Sequence, residues 1–178
     1  MAITVGVLTI SDRCSRGETE DKSGPLIEQI VTERLGAEVK LTACVPDERE
    51  LIARTLIAWC DGESVDLILT TGGTGFAPRD VTPEAMRDVI EREAPGLAEV
   101  MRREGAKLTP HAMLSRAVAG IRKSTLIVNL PGSAKAVQEN LETILPALPH
   151  GIEILKGVHG ANHRHDYKHS GPHTADSR

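Results

Sequence analysis

The densest run of chemically capable residues is Thr70-Thr71-Gly72-Gly73-Thr74-Gly75-Phe76-Ala77-Pro78-Arg79-Asp80. Glycines allow positive φ and bring backbone N–H groups close to a phosphate. Threonine hydroxyls add hydrogen bonds to the same oxygens. The run contains no GxxxxGK[ST], which excludes a P-loop, and no GxGxxG, which excludes the dinucleotide fingerprint. A tight strand-to-loop turn without a ligand has the same composition. Two shorter polar turns accompany it, Ser11-Asp12-Arg13 and Asn129-Leu130-Pro131-Gly132-Ser133. Ser133 behind its Pro-Gly turn, and Ser23 with Gly24, each open a helix. Helix N-termini offer free N–H groups and a partial positive charge to an anion. Ordinary N-capping explains either serine as well.

Asp47, just after Val45-Pro46, and Asp80, closing the glycine run, are the carboxylates placed for a metal. Mg²⁺ shared with a polyphosphate takes one or two carboxylates and several waters. On spacing alone the structural alternatives are slightly favoured: Asp47 as a helix N-cap, Asp80 as a partner of Arg79 or of the next helix. His111 and His150 have no ligand spacing around them, and sequence order supports no Ser–His–Asp triad.

These residues need elements to hold them. Apolar, Val- and Ile-rich runs predict strands over 3–10, 39–45, 65–69 and 125–130, with a short ambiguous one over 117–121. Helical spacing predicts helices over 24–35, 47–60 and 133–145. Thr82-Pro83-Glu84 reads as a helix start, with a capping hydroxyl, a first-turn proline and an early carboxylate, for a helix running to about 93. Pro95 starts another short helix. Strands alternating with helices predict an α/β fold of three layers, a mostly parallel sheet with helices on both faces. In such sheets ligands bind at the carboxyl ends of the strands. Residues 11–13, 70–80 and 129–133 all fall at that rim.

The chain has 178 residues and a net charge of −4. This size fits one domain with a core that needs no disulfides or metals. The charge, with only Trp59, Tyr167 and Phe76 as aromatics, argues against nucleic acid as a partner. The three cysteines, Cys14, Cys44 and Cys60, are odd in number and lack CxxC spacing, so reduced thiols are expected. No apolar run reaches the ~18 residues of a membrane helix. Residues 1–10 do not read as a secretory signal, so the expected place is the cytoplasm. Residues 1–155 read as the domain. Residues 156–178 hold five of the seven histidines and read as a mobile tail, either simply solvated or able to bind a transition metal.

Residues 69–75 (LTTGGTG), 79–84 (RDVTPE) and 129–133 (NLPGS) resemble the molybdopterin-binding family. The match is closer to its molybdopterin adenylyltransferases, including the G domain of gephyrin. Residues 89–96 (VIEREAPG), 113–116 (MLSR) and 144–150 (ILPALPH) strengthen it, as do Asp12 and 45–48 (VPDE). The likeness spans about residues 3–155. It implies transfer of AMP from Mg-ATP to the terminal phosphate of molybdopterin, with release of pyrophosphate. It implies a homotrimer and a separate molybdate-inserting partner downstream. It also implies that Asp47 and Asp80 are the essential, Mg²⁺-associated aspartates. Gly72, Gly73, Thr74 and Gly75, with Thr71, would cradle nucleotide phosphates. Ser11, Asp12, Asn129, Pro131, Gly132 and Ser133 would complete a nucleotide or pterin pocket, with Ser23 and Ser115 on the pterin side. A non-catalytic pterin-binding, trimer-forming module and a nucleotide pyrophosphatase are the competing expectations.

Overall fold

Branched apolar residues in short runs give β1 (Thr4–Ile10), β2 (Glu38–Val45), β3 (Leu67–Thr71) and β6 (Thr125–Leu130). The computed structural model that shows them describes residues 2–63 and 65–157. The expected histidine-rich tail lies almost wholly outside that range. The six-stranded sheet has the order β2-β1-β3-β6-β5-β4. Its first four strands run parallel. β5 (Ala119–Arg122) and β4 (Arg92–Glu93) complete it antiparallel.

β1, β3 and β6 are buried on both faces, which is why they read as unbroken apolar runs rather than alternating ones. Val5, Val7, Leu67, Leu69 and Val128 meet α2 (Ser23–Leu35), α5 (Pro95–Leu108), α6 (Ala134–Ile144) and α7 (Leu148–Leu155) on one face. Leu8, Ile10, Ile68 and Ile127 meet α3 (Arg49–Ala58) and α4 (Thr82–Val89) on the other. The three-layer α/β expectation holds. Each fully buried Leu or Ile here contributes roughly 1.5–3 kcal/mol of transfer free energy. α3 ends in a π turn, Trp59–Glu63. There the Trp59 ring lies over Gly6 of β1, where a Cβ would come within 2.9 Å of it. β1 carries a register shift at the same place, between Val5 and Gly6.

Several boundaries differ from the expectation. The helix expected over 47–60 begins at Arg49, behind Glu48 in extended conformation. The helix from 82 ends at Val89, because Ile90 turns to ψ 141° and Arg92–Glu93 pair with β5. The helix from Pro95, expected to be short, runs for 14 residues. Thr82 does not cap its helix: it is the first helical residue, and its hydroxyl donates to the Gly72 carbonyl at 2.9 Å. The one-turn α1 (Asp12–Ser15) and the terminal α7 were not expected.

The chain leaves β1 for β2 on one side and returns to β3 on the other. The crevice at the carboxyl ends of β1 and β3 is therefore the topological switch point, where open α/β sheets bind ligands.

Candidate active site

Three turns meet at that crevice. Ser11 follows β1, and its N–H is tied to Val45 O at 2.9 Å, bringing the end of β2 alongside. Gly72 follows β3, and its N–H donates to Leu130 O at 3.2 Å, bringing in the turn after β6. Thr71 Oγ1 donates to Pro131 O at 2.7 Å across the same seam. Gly72 and Gly73 take φ of +102° and +64°, conformations that L side chains rarely adopt. A Cβ on Gly72 would overlap the Ile10 carbonyl oxygen, so this glycine is required by the approach of one backbone to another.

Asp47 stands after β2 and is locked to Asp12 in both directions. Asp12 N donates to Asp47 Oδ2 at 2.8 Å, and Asp47 N donates to Asp12 Oδ1 at 3.0 Å. Arg79 then grips Asp12 with two hydrogen bonds, at 2.9 and 2.8 Å. The two acids respond in opposite directions. The Arg79 hydrogen bonds hold the Asp12 carboxyl below its ordinary range. Burial pushes Asp47 up, and the nearby charges of Asp12 and Asp80 add to that shift against the hydrogen bond from Asp12. Asp80 Oδ2 accepts from Ala77 N at 2.8 Å, closing a turn at the tip of the loop. Oδ1 of Asp47 and Oδ1 of Asp80 accept no hydrogen bond from the described residues.

Two clefts open on this rim. The first, about 450 Å³, lies over the switch point and includes Ser11, Asp21, Ser23, Asp47, Thr71 and Gly72 in its wall. The second, about 480 Å³, is lined by Thr74, Gly75, His111, Ser115, Pro131, Ser133 and neighbours. They share Gly73, Asp80 and Gly132 as a common wall. Ser133 caps α6, accepting from Ala136 N at 3.2 Å, so the positive end of that helix lies where the clefts meet.

A profile of the family described as a probable molybdopterin-binding domain matches residues 6–150. The chain belongs to that family. It is 46% identical over 156 residues to a Helicobacter pylori protein named molybdopterin adenylyltransferase, covering 87% of this chain and 89% of that one. It is 48% identical over 154 residues to the molybdenum cofactor synthesis protein cinnamon of Drosophila melanogaster; the match covers 86% of this chain and spans about a quarter (26%) of that protein's length. Its fold superposes on the molybdopterin biosynthesis enzyme MoaB of Thermus thermophilus with a TM-score of 0.83 at 50% identity, covering 87% and 97% of the two chains.

In this molybdopterin-binding domain most of the sequence-predicted residues come together on the two cleft walls. Asp12 lies outside both linings and acts on Asp47. Asn129 is fully buried and turned away: its Oδ1 accepts from Val118 N at 3.2 Å and its Nδ2 donates to Thr70 Oγ1 at 3.0 Å. It sets the register of the rim without reaching either cleft. Ser23 is on the first wall, but its N–H and hydroxyl, with the Gly24 N–H, are already satisfied by Asp21 Oδ1 at 3.0–3.2 Å. An internal carboxylate thus occupies the anion position at the start of α2. Asp21 was missed by sequence reasoning, although an aspartate two residues before a helix start is itself a capping signal. Arg116 was missed as well. Its bonds to Gly75, Asp80 and Glu84 join segments more than 30 residues apart, which local spacing does not reveal. Among the described residues no helix is long and apolar enough to cross a membrane.

Proposed function

We propose that the chain is a molybdopterin adenylyltransferase, moving AMP from Mg-ATP to the terminal phosphate of molybdopterin and releasing pyrophosphate. The observation that carries this reading is the shared wall: two clefts of similar size meet at Gly73, Asp80 and Gly132. A reaction that joins two bound molecules needs two sites whose reacting ends face each other, and holding them there removes much of the barrier. The name carried by the Helicobacter relative supports the choice of reaction, and that of the Thermus enzyme supports a place in molybdopterin biosynthesis.

The nucleophile is a phosphate oxygen, already ionised at neutral pH, so no strong general base is required. That oxygen forms a bond to the α-phosphorus of ATP. The bond from that phosphorus to the bridging oxygen breaks, and its electron pair leaves with pyrophosphate. The protein's task is alignment and charge neutralisation. Asp47 and Asp80 would hold the Mg²⁺ that accompanies ATP, and that ion would neutralise charge on the leaving pyrophosphate. Their chemistry fits. Each keeps one carboxylate oxygen without a hydrogen bond from the described residues, and Asp47 sits among other acids whose repulsion a cation relieves. Two carboxylates are the usual protein share of an Mg²⁺ ion whose remaining ligands are phosphates and waters. Backbone N–H groups of the glycine loop and the N-terminus of α6 are the phosphate-binding groups in this reading.

The reading extends to a homotrimer in the cytoplasm that passes its product to a separate molybdate-inserting protein. The family resemblance supports that extension, and the mass of the protein in solution tests the trimer.

Turnover with the full chain, Mg-ATP and molybdopterin, following both adenylylated pterin and pyrophosphate, tests the assignment. Wild type should give the two products in equal amounts, and Asp80→Asn should be slower by ~10²-fold or more, the usual cost of losing one preorganised electrostatic element. Pyrophosphate or AMP without adenylylated pterin would make the chain a hydrolase. Pterin binding with no turnover would leave a carrier.

A further inference from the structure

The loop from Gly72 to Val81 carries Asp80; Gly72 and Thr74 are buried and Val81 packs on the core, but the tip between them stands clear of the body. Residues 76–79 are exposed, Phe76 to 69%. Its inner end is pinned by Thr82, whose N–H donates to Gly73 O at 3.1 Å and whose hydroxyl donates to Gly72 O at 2.9 Å. The outer part is held by two arginines: Arg79 ties the exposed tip to Asp12, and Arg116 binds both limbs from behind. Arg116 N donates to Thr74 O at 2.8 Å, and Arg116 Nε donates to Gly75 O at 2.7 Å. Its Nη2 donates to Asp80 O at 2.5 Å, and its Nη1 to Glu84 Oε1 at 2.5 Å. One guanidinium therefore spans both limbs of the loop and fastens them to the first turn of α4. The segment behind it is fixed in turn: Arg102 donates to Ala117 O at 2.9 Å, and Val118 N donates to the buried Asn129.

We infer that Arg116 is a positioning residue for Asp80, acting through the loop backbone; this rests on the role given to Asp80 above. Arg116 lines neither cleft, which separates it from the residues that would touch substrate. The arrangement has a cost, since Glu84 Oε2 is buried with no hydrogen-bond partner among the described residues while Oε1 holds the guanidinium. Three acceptors are met by three separate nitrogens of a planar fork. A lysine ammonium carries its three N–H donors on one nitrogen at the end of a flexible stem, so it meets these separated acceptors only in part.

The test uses the full chain as wild type, Arg116→Ala, Arg116→Lys, Asp80→Asn and the Arg116→Ala/Asp80→Asn double variant. ATP affinity is measured by calorimetry with Mg²⁺ and with EDTA, alongside kcat and the melting temperature. Arg116→Ala is expected to lose most of the Mg²⁺-dependent gain in ATP affinity, leave affinity in EDTA unchanged, and lower kcat about 10- to 100-fold, the scale of a misplaced catalytic group. Arg116→Lys should recover part of both. On the Asp80→Asn background the arginine change should add less than about twofold, because two residues acting as one unit are not additive. A folded Arg116→Ala that keeps the Mg²⁺-dependent gain and the wild-type kcat overturns the inference. So does an undiminished further loss on the Asp80→Asn background, which would mark a general structural role. If Arg116→Ala does not fold, Glu84→Gln, which loosens the same guanidinium, replaces it under the same criteria. A wild-type chain with no Mg²⁺-dependent gain would remove the metal role of Asp80 and this inference with it; a gain present in wild type and retained by the variants removes the inference alone.

Discussion

Gly73→Ala probes the loop at the point where both clefts meet. Gly73 has φ of +64°, and an L residue there costs about 1–2 kcal/mol. The new Cβ would also overlap Thr82 Oγ1. Thr82 is fully buried and its hydroxyl donates to Gly72 O, so moving it aside forfeits that bond and strands a buried polar group, at about 1–3 kcal/mol. The total is about 2–5 kcal/mol. For a domain of this length that lowers Tm by roughly 2–4 °C per kcal/mol, or about 10 °C near the middle of the range. The same Cβ would lie 3.0 Å from Asp47 Oδ1, closer than ordinary contact, so the carboxylate must shift by a few tenths of an ångström. Scanning calorimetry measures the first effect. The second is read as kcat at a temperature where the variant is fully folded, with an expected fall of about tenfold. A Tm within about 2 °C of wild type would refute the strain argument. A large Tm drop with unchanged kcat would refute the placement of Asp47 in the chemistry.

Two further perturbations separate structure from site. Asn129→Ala removes two buried hydrogen bonds and should cost about 2–4 kcal/mol while leaving KM for ATP within about twofold; a KM change with intact stability would return Asn129 to the binding wall. Asp61 is held down to about 2 by hydrogen bonds from Arg122 and Lys123. Because its folded value is the lower one, its stabilising contribution is complete above the ordinary carboxylate pKa and is lost as pH falls through about 2. Asp61→Asn should therefore melt below wild type at pH 7, and the gap should close on acidification toward pH 2. A gap that widens on acidification would contradict that ion pair.

The rim was legible in the sequence because its parts are local. Val- and Ile-rich runs followed at once by Gly, Ser or Asp place turns at strand ends, and Ser133 behind Pro131-Gly132 does cap a helix. What the sequence did not show was mutual contact. Asp12 with Asp47 is a pairing 35 residues apart, and Arg79 with Asp12 one of 67. The Asp12 pairing, and not the N-cap role that spacing alone slightly favoured, is what holds Asp47; the cap position of the helix falls to Glu48. The helix from Thr82 was read too long because nothing within residues 90–93 announces that Arg92 and Glu93 will pair with a strand nearly 30 residues later. Asn129 misled for a related reason. A polar residue in a strand before a Pro-Gly turn looks like a ligand group, and only the positions of Thr70 and Val118 show that its hydrogen bonds are spent inside.

The stacking of Trp59 on Gly6 gives the protein an optical reporter with a defined field of view. Trp59 is the only tryptophan, and it lines neither cleft. Its emission follows the seam between the π turn and β1, so it registers the peeling of α3 from the sheet and stays blind to what fills the rim. A change in that emission on adding nucleotide would therefore report a displacement carried down β1 from Ser11, rather than quenching by the bound base.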